Sequence, residues 1–220
     1  MLTLASLPAV LLLSWAMTGR LRHYALRRNL LDVPNQRSSH SVPTPRGGGM
    51  AIVVSFVLAL LLSLAFGWIA WQSAVGLLGA GVAVALIGFL DDHGHVPARW
   101  RLLVHVASAS WGLYWLGGAP SLVLGGTSIE LGWLGALLGV FYLVWLLNLY
   151  NFMDGIDGIA GVEAVTSCFS IVLICLLLND WSAALLPAML GLAAAGFLIW
   201  NFPPAKIFMG DAGSGFVGLM

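Results

Sequence analysis

Charge is what this chain most lacks. Nine Lys or Arg and nine Asp or Glu make up 8% of its 220 residues, where soluble domains carry about 25%. The hydrophobic share is 60% and the mean hydropathy +0.96, so a soluble globular domain is excluded. A nucleic-acid surface is excluded as well, because no basic stripe could track a phosphate backbone. Cysteine is nearly absent. Cys168 and Cys175 lie seven apart in one apolar run, on one helix face and too far apart to bond to each other. Also missing is a basic stretch ahead of the first apolar run. Met1 to Met17 is free of charge, and Arg20, Arg22, Arg27 and Arg28 follow it. A cleaved secretory signal has the opposite order. A retained first helix with its N-terminus outside is expected.

What is present is a succession of apolar runs of bilayer-spanning length, at roughly 2–19, 49–70, 73–90, 102–118, 132–149, 158–178 and 183–200. An eighth begins near residue 214 and the sequence ends at Met220, short of the roughly 20 residues a crossing needs. The expected fold is all-α: one polytopic transmembrane bundle over residues 1–220, with seven complete helices and the start of an eighth. The chain is expected to be a piece of a longer protein. The positive-inside rule orients the helices. With the N-terminus outside, Arg20, Arg22, Arg27, Arg28, Arg37, Arg46, Arg99, Arg101 and Lys206 all fall in cytoplasmic loops, and the outer loops carry only Glu130 and Asp180. His40 falls on the same cytoplasmic side and is a candidate functional residue.

Three tight acidic clusters also land on that side: Asp91-Asp92, then Asp154 and Asp157, then Asp211. Carboxylates at the ends of membrane helices are expensive and mark function. Clustered without Lys, they suggest a hard divalent cation completed by phosphate oxygens. Asp91 and Asp92 close the third helix. Neighbours on a helix point apart, so one can face a cation or substrate while the other acts as base or partner. The plainer alternative, a solvated pair at a helix end, sits poorly with the helix dipole. Asn148, Asn151, Asp154 and Asp157 recur every third residue, a spacing that predicts one helix face over about three turns. Gly155 and Gly158 leave room for a ligand to approach there. Around Asp211, the Phe208-Met-Gly-Asp-Ala-Gly-Ser214 segment opens the eighth helix. Asp211 reads as an N-cap or as a metal ligand beside an anion site. Arg46, Gly47 and Gly48 form a candidate phosphate contact, and Arg99 and Arg101 are candidates to neutralise a diphosphate or a lipid phosphate. Each of these basic residues reads equally well as a topogenic anchor. His93 and His95 lack the further ligands a zinc site needs. His105 is expected to be packed in its helix, and Glu163 to face the bundle interior.

Together, Gly88-Phe-Leu-Asp-Asp92, Asn148-Leu-Tyr-Asn-Phe-Met-Asp-Gly-Ile-Asp-Gly158 and Phe208-Met-Gly-Asp-Ala-Gly-Ser214 resemble the polyprenyl-phosphate N-acetylhexosamine-1-phosphate transferases, glycosyltransferase family 4. Pro43-Thr-Pro-Arg-Gly-Gly48 and Arg99-Trp-Arg101-Leu-Leu fit too, and the resemblance covers nearly all of residues 20–220. It implies transfer of a sugar-1-phosphate from a UDP-N-acetylamino sugar to undecaprenyl phosphate, with release of UMP. It further implies Mg²⁺ as cofactor, with Mn²⁺ able to substitute, and a site on the cytoplasmic face of the bacterial inner membrane. By matching positions, Asp211 resembles the principal metal ligand. Asp91 and Asp92 resemble the base on the lipid phosphate and its partner at the metal. Asn151, Asp154 and Asp157 resemble the nucleotide-binding and metal-proximal group, with Asp154 also a metal ligand. The wording Asn-Phe-Met-Asp-Gly-Ile-Asp-Gly is closer to the O-antigen and common-antigen initiators than to the peptidoglycan branch, phospho-N-acetylmuramoyl-pentapeptide transferase. Family members continue for several more helices.

A transporter would instead place its carboxylates near helix midpoints. A CDP-alcohol phosphotransferase needs an Asp-Gly-x-x-Ala-Arg signature that is missing here. A scaffold would leave the Asn/Asp ladder unexplained. If Arg46 contacts the donor diphosphate, Arg46→Ala raises the apparent KM for the nucleotide sugar. An unchanged KM would assign Arg46 to topology alone.

Overall fold

A computed structural model describes the backbone of residues 2–34 and 41–220 and the side chains of residues 7–34 and 41–220. His40 and Arg37 lie outside the described residues. The helices are α1 (Leu2–Arg28), α2 (Met50–Ala65), α3 (Trp71–His93), α4 (Ala98–Trp115), α5 (Gly132–Met153), α6 (Ile159–Leu177), α7 (Leu185–Asn201) and α8 (Asp211–Leu219). This is the all-α bundle expected, seven long helices and a short eighth. Of these, α3, α5 and α6 are long and apolar enough to cross a membrane, and α2 and α7 are shorter apolar helices. Helices suit a bilayer because they satisfy their own backbone groups. Trp71, Trp115, Trp133 and Trp181 lie at the helix ends away from the acidic clusters, as an interfacial aromatic belt would.

Boundaries follow local chemistry. The 27 residues of α1 span roughly 40 Å, more than the apolar run alone predicts. The helix continues through its Arg-rich end because Leu, Ala and Arg are good helix formers. It stops where Asn29 takes a left-handed φ of 53°, and α6 stops the same way before Asn179 at 57°. Two small antiparallel ladders were not anticipated by the periodicity: β1 (Leu31–Asp32) with β2 (Thr44–Pro45), and β3 (Leu122–Leu124) with β4 (Thr127–Ile129). The second turns through Gly125 and Gly126, both at positive φ, the geometry that two-residue hairpin turns require.

The short helix α8 begins at Asp211, three residues earlier than expected, and packs among α2, α3 and α5. Every residue from Ala212 to Leu219 is buried. Phe216 meets Phe56 of α2 edge to face at 5.8 Å. Around this centre, α1 packs on α2 and α7, α6 packs on α7, and α4 packs on α3 and α5. The outer faces of α4, α5 and α6 are apolar and exposed: Tyr114 is 78% accessible and Phe152 83%.

One contact carries the site's placement. A Cβ at Gly88 would lie 2.5 Å from the Asp211 carbonyl oxygen and 2.6 Å from the Ala212 nitrogen. Only glycine lets α3 touch the first turn of α8 so closely. Gly88→Ala must push the two backbones apart, an overpacking that costs about 1–3 kcal/mol. A lower melting temperature in detergent is expected. An unchanged one would mean that α8 shifts freely.

Candidate active site

The start of a helix leaves backbone N–H groups without partners. At α8 and the loop before it, three side chains, from the end of α3 and the turn between α5 and α6, supply the acceptors. Asp92, at the end of α3, accepts from Asp211 N through Oδ1 at 3.0 Å and from Ala212 N through Oδ2 at 3.2 Å. Asp154, just past α5, accepts from Gly210 N at 2.8 Å and Met209 N at 3.3 Å. Asp157 accepts from Ala205 N at 2.8 Å. The 45–49 segment pairs with the same loop: Phe208 N donates to Pro45 O at 2.8 Å, Gly48 N to Phe208 O at 2.9 Å and Gly49 N to Met209 O at 2.8 Å. Buried Asn201 completes the frame, accepting from Gly158 N at 3.1 Å and donating to Ile207 O at 3.0 Å.

This arrangement corrects several sequence expectations. The Asn/Asp ladder does not share one helix face, because α5 ends at Met153 and α6 begins at Ile159. Asn148 and Asn151 stand on α5, Asp154 caps its end and Asp157 lies in the turn beyond. Asn151 and Asp154 nevertheless converge on the α8 start and Asp157 meets the loop before it at Ala205, while Asn148 Nδ2 donates to Val144 O at 2.7 Å in its own helix. The N-cap of α8 is Gly210, not Asp211. The amide of Gly48 is committed within the protein, whereas Gly47, at φ 92°, faces open space. Gly158 packs on Pro203 instead of opening to a ligand. Glu163 is exposed, not interior, and accepts from Ser167 Oγ at 3.2 Å. Asn201 went unnoticed in the sequence. Its only signal there is a polar residue ending an apolar run before Phe202-Pro203-Pro204.

What remains available to a ligand surrounds Asp211. Its Oδ1 accepts from Asn151 Nδ2 at 2.8 Å, and its Oδ2 accepts from Arg101 Nη1 at 3.2 Å. The same Nη1 makes a short bond to Asp91 Oδ2, whose Oδ1 accepts from Val96 N at 2.8 Å. One guanidinium thus bridges carboxylates from α3 and α8. The side chains of Arg101 and Asp211 are about one-third exposed (34% and 33%), and pairs so open to solvent are worth about 0–1 kcal/mol.

Asp211 and Asn151 form the wall between two cavities. The larger, ≈ 330 Å³, is lined by Ile87, Leu102 and Leu147 as well as Arg99, Arg101, His105 and Asn148. His105 therefore faces a cavity, which its helix position alone does not reveal. The smaller, ≈ 150 Å³, is lined by Asp32, Arg46, Asp92, Asp154, Gly155 and Gly210. Arg46 Nη2 donates to the Asp92 carbonyl at 2.7 Å. Among the described residues no three His, Cys, Asp or Glu side chains converge as a metal cage. Both oxygens of Asp92 and of Asp154 are taken by N–H groups, which leaves Asp211 as the carboxylate facing both cavities. That donor set fits a Mg²⁺ ion held by one or two carboxylates, with substrate phosphates as further ligands.

The profile of glycosyl transferase family 4 matches residues 74–220, and the chain belongs to that family. Over its whole length it is 32% identical to a decaprenyl-phosphate N-acetylglucosaminephosphotransferase of Mycobacterium tuberculosis, of which the match covers 58%. A probable undecaprenyl-phosphate N-acetylglucosaminyl 1-phosphate transferase of Bacillus subtilis is 30% identical, over 92% of this chain and 56% of its own length. A phospho-N-acetylmuramoyl-pentapeptide-transferase of Streptococcus thermophilus is 29% identical, over 86% and 59%. The chain thus spans under two-thirds of the length of these relatives.

Burial pushes the Asp154 carboxyl up to about 8 from its ordinary 3.8, against the Gly210 and Met209 N–H groups that favour its charge, while Asp92 and Asp211 add to the rise. Its folded pKa is raised, so its contribution to stability is full below about pH 4 and lost as pH rises through about 8. Without divalent cations the protein is expected to melt at lower temperature near about pH 8.5 than near about pH 6, and Asp154→Asn to flatten that slope. A wild-type melting temperature independent of pH would show Asp154 ionised throughout.

Proposed function

We propose that this protein transfers a sugar-1-phosphate from a UDP-N-acetylamino sugar to a polyprenyl phosphate, undecaprenyl phosphate in bacteria. The observation that carries the reading is the position of Asp211. It stands at a helix N-terminus between a cavity with an apolar side and a polar one, with Arg101 and Asn151 on it. The relatives named as phosphotransferases of polyprenyl phosphates support the same chemistry.

In this reading the lipid phosphate enters from the membrane beside Leu102 and Leu147, and the nucleotide enters from the cytosol beside Arg46. An oxygen of the lipid phosphate attacks the β-phosphorus of the donor. The new P–O bond forms as the bond to the UMP oxygen breaks, and UMP leaves with the electron pair. The chain's own contribution is positioning and charge. Arg101 and Arg99 meet phosphate charge from the larger cavity. Asn151 orients Asp211; of the adjacent pair, Asp92 is committed to the α8 amides, and Asp91, which meets the Arg101 guanidinium and Val96 N, is the base for the lipid phosphate. Mg²⁺ or Mn²⁺ on Asp211 would neutralise the diphosphate. Asp154 and Asp157 hold the loop that carries Asp211.

The nine basic residues on one side support a bacterial cytoplasmic-membrane location with the site facing the cytoplasm. The Asn151–Gly158 wording supports the first membrane step of an O-antigen or related envelope polysaccharide over the peptidoglycan branch. Helix-end carboxylates argue against a transporter. The test is release of UMP by the full-length protein in detergent, with undecaprenyl phosphate, Mg²⁺ and a panel of UDP-N-acetylamino sugars. Release that needs both lipid and cation, with one amino sugar, is expected. Release only with the muramoyl-pentapeptide donor would move the protein to the peptidoglycan branch. No UMP from a folded protein would sink the transferase reading.

A further inference from the structure

The bridge made by Arg101 lies where a cation on Asp211 would lie, and this overlap has a chemical meaning. Arg101 reaches two carboxylates with a single nitrogen: the nearly buried Asp91, and at 3.2 Å the one-third exposed Asp211. The two acids come from the end of α3 and the start of α8, 120 residues apart in sequence. The C-terminal end of α3 disfavours the Asp91 charge, so a positive group is needed between the pair whenever nothing else supplies one. Arginine cannot lose its proton to relieve the site. Its bond to Asp211 is partly exposed and weak, and a divalent ion brings twice the charge to the same oxygen.

We propose that Arg101 is the resident counter-ion of the cation position. With no divalent ion bound it holds Asp91 and Asp211 together. When an ion takes Asp211, Arg101 keeps its short bond to Asp91 and gives up Asp211, and its freed N–H groups turn to the phosphates in the larger cavity. The guanidinium is thus both a competitor of the metal and a ligand of the substrate. The site assembles its full positive charge only when metal and phosphate are present together. This rests on the transferase reading for the identity of the phosphates, but not for the competition itself.

The competition is measurable without turnover. Mn²⁺ binding to the full-length protein in detergent, with no nucleotide and no lipid, is followed by electron paramagnetic resonance. Arg101→Gln is expected to bind Mn²⁺ roughly two- to fivefold more tightly than wild type, the range that partly exposed ion pairs are worth. Added UDP-sugar is expected to tighten Mn²⁺ binding in wild type far more than in the variant. Arg101→Lys keeps a point charge without the bridging fork. It is expected to lie between the two, and it serves if the Gln variant does not fold. Equal or weaker Mn²⁺ binding in a folded Arg101 variant would overturn the proposal, and so would a failure of wild type and variant alike to bind Mn²⁺. UMP release in the same preparation separates the two ideas. Turnover with unchanged metal affinity removes the counter-ion role and leaves the transferase standing. Altered metal affinity without UMP does the reverse.

Discussion

The N–H groups between Ala205 and Ala212 belong to a loop and to the first turn of a helix, so the backbone offers them few partners of its own. The carboxylates of Asp92, Asp154 and Asp157 accept five of them. A buried amide left without an acceptor costs about 1–3 kcal/mol, so the loop has little freedom to settle elsewhere. The direction of Asp211, the shape of both cavities and the packing of α8 all follow from this arrangement. Gly88 and the 45–49 segment close it from two further sides.

The same arrangement divides the acidic residues by task. Asp92, Asp154 and Asp157 spend lone pairs on backbone N–H groups of the protein, and Asp92 meets the first turn of α8, where the helix dipole favours a negative group. Asp91 spends its own on Arg101 and Val96 N, and Asp211, on Arg101 and Asn151, stands beside open volume. A charge-poor membrane protein thereby keeps five carboxylates in a small region without mutual expulsion. Three are hydrogen-bonded to amides and two share one guanidinium. Of the five, Asp211 is the one that faces both cavities.

Much of this was legible in the residues. Apolar runs bounded by Gly, Asn and charge marked the helices. The three motifs marked the family, and residues of all three line the candidate site. The division of labour among the carboxylates was not legible, because an aspartate that accepts backbone N–H groups and one that faces a ligand are the same letter. The three-residue spacing from Asn148 to Asp157 looked like a single helix face, yet the chain leaves the helix at Met153, where two Asn end and two Asp begin. Asn201 carried no motif because its partners, Gly158 and Ile207, offer only backbone atoms. The hairpin at Gly125-Gly126 falls between the apolar runs at 102–118 and 132–149, and could have been read from its turn chemistry.

The central claim is that side-chain carboxylates hold the loop before α8 and so aim Asp211. Amide hydrogen exchange over residues 205–212 tests it most directly, in wild type and in Asp157→Asn. The account predicts slow exchange across the loop in wild type, comparable to the helix ends around it, and clear loss of protection at Ala205 and its neighbours in the variant while α8 stays protected. Fast exchange of the loop in the wild-type protein would contradict it, since the amides would then not be bound to the carboxylates at all.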